Sequence, residues 1–320
     1  MRIEGTESYM LATDEPKTMG IVLAYYRKRY GLSQKEVCDG ICSIATLSRL
    51  EQGYREVDSL LGQALLGRIG KEITLFETIL NEEDYNLWKI RQEIEISIEK
   101  KQLGKAEEKI SEYRKVMPKE EKIHEQYCIF EEILIMIAQG RATGQILEFA
   151  KKGISITIGD WRKKRRVCLY NLIEVELLLI LFHYSNSQNE MIEQELLNVL
   201  EFVMKYYSGK KREKLGIKIY LELIHNKKQK NDYEELLLYI QKALALINRG
   251  TGYEELADLY FLLGKTRERI SVEKNGEWKK EECLQECKIA FHLYQIEQKK
   301  EQADEVIMFC KEKLQCQIIG

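Results

Sequence analysis

Residues 30–53 read YGLSQKEVCDGICSIATLSRLEQG, and this stretch decides the fold of the N-terminal part of the chain. Ser33 and Glu36 form a Ser-x-x-Glu capping box, in which each side chain satisfies a backbone donor of the other residue. The pattern predicts the start of a helix. Gly40 predicts its end, because glycine readily adopts the left-handed conformation that follows a helix. The first helix of the stretch is therefore short.

A second short helix follows directly. Ser43 is its predicted N-cap, the helix runs through Gln52, and Gly53 ends it. Another helix is expected before the stretch, from Thr18 to about Tyr30. Two short helices joined by a tight turn that contains glycine are the arrangement of a helix-turn-helix unit.

The residues of this unit resemble a known family. The similarity lies in two pieces, Leu32-Ser33-Gln34 and Leu47-Ser48-Arg49-Leu50-Glu51-Gln52-Gly53. Both look like the Xre-type helix-turn-helix of phage repressors, and more closely like the peptide-regulated Rgg and PlcR transcription factors. The resemblance covers residues 19–75 and departs from the family at residues 54–58, where the family often has a proline. It implies a transcriptional regulator that binds double-stranded DNA and a short peptide.

The second helix of the unit is predicted to turn its leucines towards the core. Leu47 and Leu50 are three residues apart, so they share one helix face. We expect this face to pack against Val37 and Leu23.

The opposite side of the same helix is the expected DNA-reading surface. Ser43, Ala45 and Arg49 lie there. Arg49 can bond guanine bidentately, and Ala45 can contact a thymine methyl group. Ile44 has two interpretations, a core residue or a second apolar contact with DNA.

The resemblance also implies contacts with the DNA backbone. It places Arg27, Gln34 and Gln52 near phosphates, and Gln34 lies at a helix N-terminus, whose free amides attract anions. In the family, the acid that matches Glu51 pairs with the arginine that matches Arg27. We therefore expect an Arg27–Glu51 ion pair that holds their two helices together.

Charge supports DNA binding only weakly. Residues 18–55 contain six lysines and arginines against three acids, but the whole chain has a formal net charge of −2 and a pI near 6.2. General coating of nucleic acid is therefore not expected. We expect a homodimer that uses a few phosphate contacts twice, on a pseudo-palindromic operator with half-sites roughly 10 bp or a multiple apart.

The rest of the chain is predicted to be helical. Proline occurs only at Pro16 and Pro118, and no strand pattern is present. The predicted fold class is all-α, with a helix-turn-helix domain followed by a TPR-like α-solenoid. We expect a flexible arm over residues 1–17, a DNA-binding domain over 18–80, and a repeat domain for ligand sensing and dimerisation over 85–320.

The repeat domain is predicted to consist of helix pairs. The pairs are expected to begin near Leu87, Lys122, Arg165, Arg212 and Gly252, and a helix over residues 304–315 would cap the stack. Such a stack presents a concave surface suited to an extended peptide or to the helix of a partner.

Polar residues on the first helices of these pairs are the candidate peptide ligands. Asn171 and Glu174 lie three residues apart in a segment rich in leucine and isoleucine, and an asparagine side chain can bond both the carbonyl and the amide of a peptide. The alternative is that Asn171 satisfies a neighbouring helix. The other candidates, for which a structural role is the alternative, are Tyr127, Glu131 and Tyr220.

The sequence contains no pattern of a catalytic, cofactor or metal site. The four histidines lack HExxH spacing, and no glycine-rich phosphate loop or nucleophile elbow is present. The eight cysteines lack zinc-knuckle spacing and are expected to be reduced core thiols. We expect no enzyme, no cofactor and no metal. With no membrane-span or signal-peptide pattern, we expect a cytoplasmic protein.

A second class of function stays open at this point. The repeats could hold another protein rather than a peptide. The chain would then be an interaction module, and its helix-turn-helix would tether it to DNA or be inert.

Overall fold

The chain folds into α-helices throughout the part that the structure describes. The structure is a computed structural model, and it describes residues 18–55, 58–71, 82–159, 169–185, 190–247, 255–273 and 280–316. No strand occurs within these ranges, so the predicted all-α fold class is confirmed. No helix in them combines the length and apolar character that a membrane span needs. The predicted arm at 1–17 and residues 72–80 of the predicted DNA-binding domain lie outside the described residues.

Four short helices form the N-terminal head, which we define as the described residues of 18–71. Ser33 caps the second helix: its side chain accepts from the amide of Glu36, whose carboxylate accepts from the amide of Ser33. Ser43 caps the third by accepting from the amide of Thr46. Both predicted N-caps are therefore confirmed. The helices are α1 (Thr18–Arg29), α2 (Gln34–Cys38), α3 (Ile44–Glu51) and α4 (Ser59–Gly67).

Two glycines of the head allow backbones to approach closely. A Cβ atom at Gly20 in α1 would lie 1.8 Å from the carbonyl oxygen of Leu50 in α3. Gly40, between α2 and α3, has a φ of +72°, and a Cβ there would lie 1.5 Å from the carbonyl oxygen of Thr157. The head therefore packs tightly both within itself and against a later segment of the chain.

The core of the head includes the four side chains that the sequence pattern assigned to it. Leu47 and Leu50 of α3 are buried together with Val37 and Leu23. Full burial of such a side chain contributes about 1.5–3 kcal/mol. This apolar contact is what fixes the orientation of α3.

Eleven further helices are described after the head. Their bounds are α5 (Glu82–Glu99), α6 (Leu103–Val116), α7 (Lys122–Ala138), α8 (Thr143–Ile158), α9 (Leu172–Tyr184), α10 (Glu190–Tyr206), α11 (Gly209–Lys230), α12 (Tyr233–Leu246), α13 (Leu256–Glu273), α14 (Lys280–Ile296) and α15 (Lys300–Lys313).

These helices follow the predicted order of pairs and a final helix. The expected starts near Leu87, Lys122 and Arg212 fall within or at the start of α5, α7 and α11. The starts expected near Arg165 and Gly252 lie outside the described residues, and the described helices of those pairs begin at α9 and α13. The final helix α15 begins four residues earlier than predicted.

The structure divides into two compact units, Met1–Leu177 and Leu178–Gly320. The boundary falls inside α9, so the head lies in the same unit as the helix pairs α5/α6 and α7/α8. The domain boundary predicted near residue 81 stays a prediction. Long-range contacts such as that between Gly40 and Thr157, which no local pattern encodes, join the head to these first pairs.

Candidate nucleic-acid interface

The side of α3 that faces away from the core is exposed. Ile44 is 49% exposed, and Ser43, Ala45 and Arg49 are also exposed. Ile44 is therefore not a core residue, which favours its interpretation as an apolar contact. An arginine fork beside two apolar side chains is suited to reading guanine and the methyl group of thymine.

A bidentate ion pair joins α1 to α3. Arg27 Nε donates to Glu51 Oε1 at 2.5 Å, and Arg27 Nη2 donates to Glu51 Oε2 at 2.7 Å. The predicted ion pair is therefore confirmed. Burial of Glu51 opposes its ionisation, but the hydrogen bonds from Arg27 and Gln34 outweigh it and lower the pKa of the carboxyl. Glu51 therefore stays ionised and paired beside the predicted DNA-reading side of α3.

The three residues expected near phosphates differ in their surroundings. Gln34 Nε2 donates to Glu51 Oε2 at 2.8 Å, and Arg27 Nη1 donates to the carbonyl of Leu32 at 2.8 Å. Both side chains are thus engaged within the head. Gln52 is exposed at the end of α3. Their contacts with DNA stay predictions.

The exposed cations of the head surround α3. Lys28 and Arg29 end α1, Lys35 lies on α2, and all three are exposed like Arg49. Arg55 Nη2 instead donates to Glu121 Oε1 at 2.9 Å. Lys28, Arg29, Lys35 and Arg49 are therefore available for an anionic partner.

The head corresponds to a known domain type. Residues 23–76 match a family model described as Helix-turn-helix. This segment is a helix-turn-helix domain. The domain type predicted from the sequence is confirmed, and α3 takes the place of the recognition helix, which enters the major groove in such domains. The match is to a DNA-binding domain and not to an enzyme.

Solved structures of regulators are similar to almost the whole chain. One is PlcR of Bacillus thuringiensis in complex with the peptide PapR7 and DNA, at 14% identity, covering 91% of this chain and 99% of that chain with a TM-score of 0.47. Another is the apo form of the competence regulator ComR from Streptococcus vestibularis, at 13% identity, covering 93% of this chain and 98% of that chain with a TM-score of 0.49. A third is the SHP pheromone receptor Rgg2 of Streptococcus dysgalactiae, at 13% identity, covering 90% of this chain and 97% of that chain with a TM-score of 0.42. The comparison with curated proteins gives no match.

Asn171 and Glu174, two of the candidate peptide ligands, form the start of α9. Asn171 Oδ1 accepts from the amide of Glu174 at 2.9 Å, and Glu174 Oε2 accepts from the amide of Asn171 at 2.6 Å. Glu174 Oε1 accepts from Arg68 at 2.7 Å, and Asn171 Nδ2 donates to Gln126 at 3.3 Å. Both side chains are buried. The structure thus favours the alternative interpretation, in which they satisfy neighbouring protein groups.

The other three candidate peptide ligands are also buried. The Tyr127 hydroxyl donates to the carbonyl of Arg91 at 3.4 Å, and the ring of Tyr220 lies 6.1 Å from that of Tyr239. Glu131 is buried, and its Oε2 has no hydrogen-bond partner among the described residues. None of the three is open to a ligand in this structure, so a structural role is favoured for them too.

A cavity that the sequence analysis missed lies within the second unit. Its volume is about 610 Å³. Aromatic, amide and charged groups line it together, among them Tyr233, Asn231, Lys228, Lys265, Arg269 and Asp258. The sequence signal was present in α13, where Asp258, Leu262, Lys265 and Arg269 follow one another at three- and four-residue spacing and so share one face.

Proposed function

We propose that the chain is a sequence-specific DNA-binding transcriptional regulator that works as a homodimer under the control of a short peptide. The observation that carries the DNA part is the exposed side of α3 within a helix-turn-helix domain. Ser43, Ile44, Ala45 and Arg49 lie there, and the Arg27–Glu51 pair fixes the helix that presents them. The resemblance of the head to the Rgg and PlcR regulators supports the peptide part.

Binding of a fluorescent duplex from the DNA upstream of the gene tests the DNA part. Arg49→Ala removes the proposed guanine contact, and we expect it to lose about 1–3 kcal/mol of discrimination between operator and unrelated duplex. Lys311→Ala is the matched control, because it removes one exposed cation from α15. Equal discrimination in wild type and Arg49→Ala would contradict the proposal. Two chains per duplex are expected at saturation.

The cavity of the second unit is the proposed peptide site. Asn231 and Gln302 offer amide groups for a peptide backbone, and Phe261 and Tyr233 offer apolar surface. Three lysines and arginines against two acids, Asp258 and Glu305, line it, which favours a peptide with a free carboxylate. Its volume lies within the usual range of ligand pockets, about 300–1,000 Å³.

Short synthetic peptides from reading frames next to the gene test the ligand part. We expect one of them to bind and to change the affinity for the operator duplex. Arg269→Ala should weaken binding of that peptide by about tenfold, since a charge-assisted hydrogen bond contributes roughly 1.5–3 kcal/mol. Lys311→Ala should leave the peptide affinity unchanged. If no peptide binds and a protein co-purifies in stoichiometric amount, the interaction-module alternative is favoured instead.

A further inference from the structure

Three side chains that commonly ligate metals meet inside the first unit. Asp58, Glu121 and His124 each offer one ligand atom, and these atoms lie within 4.8 Å of one another. Asp58 is the N-cap of α4 in the helix-turn-helix domain. Glu121 precedes α7, and His124 lies in its first turn. The cluster therefore joins the DNA-binding domain to a repeat helix.

Each of the three residues is oriented by a contact at its other polar atom. Asp58 Oδ1 accepts from two amides at the start of α4, at 2.9 and 3.1 Å. Glu121 Oε1 accepts from Arg55, and His124 Nδ1 lies 2.6 Å from the hydroxyl of Tyr113. Supporting hydrogen bonds of this kind orient the ligands in protein metal sites.

The remaining polar atoms of the cluster face one another. His124 Nε2 lies 3.2 Å from Asp58 Oδ2 and 3.4 Å from Glu121 Oε2. Both contacts lie within ion-pair distance, and Nε2 and Glu121 Oε2 are buried with no hydrogen bond among the described residues. The imidazole is 0% exposed. Leaving such buried atoms without a hydrogen bond is unfavourable, so a partner that bonds to them would be stabilising.

The two separations from His124 Nε2 fit a tetrahedral cation, and the carboxylate oxygens of Asp58 and Glu121 lie within 4.8 Å of each other. Zinc bonds to histidine nitrogen and carboxylate oxygen are about 2.0–2.2 Å long, which places neighbouring ligand atoms roughly 3.3–3.6 Å apart. We propose that Asp58, Glu121 and His124 bind a divalent cation of the zinc type, with water in the fourth position. Two carboxylates supply the negative charge, and Arg55 occupies only the oxygen of Glu121 that points away from the site.

A cation at this place would crosslink two parts of the chain that are far apart in sequence. It would connect the N-cap residue of α4 with the residue before α7 and the first turn of α7. The DNA-binding domain would then be held to the repeat helices by metal bonds as well as by packing. This inference goes beyond the proposed function and does not depend on a peptide ligand or on an operator.

Calorimetric titration of the chelator-treated full-length chain with zinc chloride tests the site. We expect one zinc ion per chain and a higher Tm in its presence. Asp58→Asn and Glu121→Gln should each weaken binding by at least about tenfold, as losses around metal sites do. Asparagine retains the capping function at residue 58, and circular dichroism checks that both variants fold. Glu125→Gln is the control, since Glu125 lies on the same helix and pairs with Arg114.

Cobalt as a spectroscopic probe separates this site from the cysteines. We expect the first equivalent of Co²⁺ to give a spectrum without sulfur-to-metal charge transfer. A charge-transfer band at the first equivalent would overturn the proposal. So would zinc binding that Asp58→Asn and Glu121→Gln leave unchanged, or a folded wild type that binds no zinc; in these cases His124 simply holds a proton between two carboxylates.

Discussion

At the residue scale, the contacts of Glu51 explain how an acid can lie beside the proposed DNA-reading surface. Both of its oxygens accept hydrogen bonds from the head, from Arg27 and from Gln34. Bidentate pairs between arginine and carboxylate are stronger and more directional than ordinary hydrogen bonds. The charge of Glu51 is therefore compensated before any phosphate approaches. The pair was predicted from the sequence through the family resemblance.

Glu131 provides a pH-dependent prediction. Burial, and then the charge of Glu95, raise the pKa of its carboxyl to about 8. The folded chain thus keeps this proton at pH values where the unfolded chain loses it, so stability falls as the pH rises from about 4.5 to 8. Glu131→Gln should remove this part of the dependence of the free energy of unfolding on pH. The loss amounts to roughly 1.4 kcal/mol for each unit by which the pKa of Glu131 is raised. Urea unfolding at pH 5, 7 and 9 measures it.

The control for this prediction lies at the next position. Glu132 pairs with Arg114 and is partly exposed, so Glu132→Gln should leave the pH slope of the wild type in place. If Glu131→Gln retained the full slope, the buried carboxyl would be ionised at neutral pH, and the argument from burial would be wrong.

At the element scale, helix ends were predictable wherever the signal is local. The capping box of Ser33 and Glu36 was read directly from the sequence. Asn171 and Glu174 follow the same rule, with an N-cap residue and an acid three positions later, yet they were interpreted as surface residues within a longer helix. Their apolar neighbours hid the helix start, which the structure places at Leu172.

Burial of polar side chains was not predictable from periodicity. Tyr127 and Glu131 lie on α7, where the pattern gives a helix but not which neighbours cover it. The same holds for Asp58 and His124, which are brought together only by the packing of α4 near α7. The sequence analysis noted only that the histidines lack HExxH spacing, although the spacing of Glu121 and His124, three apart, was a usable signal.

The turn between α2 and α3 yields a stability prediction. Gly40→Ala should destabilise the chain by more than the roughly 1–2 kcal/mol that a left-handed conformation costs an alanine, because its Cβ would also collide with the carbonyl of Thr157. Gly31→Ala is the matched control, since Gly31 has φ +66° and open space around it. Urea unfolding of both variants measures the difference. Equal losses would mean that the contact with Thr157 is unimportant.

At the scale of the whole molecule, the charge distribution predicts how DNA binding responds to salt. The chain is slightly acidic overall, so attraction to DNA depends on the few exposed cations of the head. The logarithm of the affinity should fall with the logarithm of salt concentration by about 0.9 for each phosphate neutralised. Lys35→Ala should reduce this slope and weaken operator and unrelated DNA alike. Arg49→Ala should change the preference between them.

Anisotropy titrations at several salt concentrations measure both effects. Lys311→Ala is again the reference for loss of one cation from another part of the chain. A salt slope that Lys35→Ala leaves unaltered would argue that α2 does not approach the DNA backbone.

On α3, three exposed residues neither cap the helix nor pack in the core, and this separation has an evolutionary consequence. Ile44, Ala45 and Arg49 lie on the exposed side of α3, whereas Ser43 must remain a residue that can cap the helix. Three positions can therefore be exchanged at little cost in stability, and a fourth can vary only among serine, threonine, asparagine and aspartate. A descendant of this chain could acquire a new set of target genes through a handful of codon changes, while the rest of the protein stays as it is.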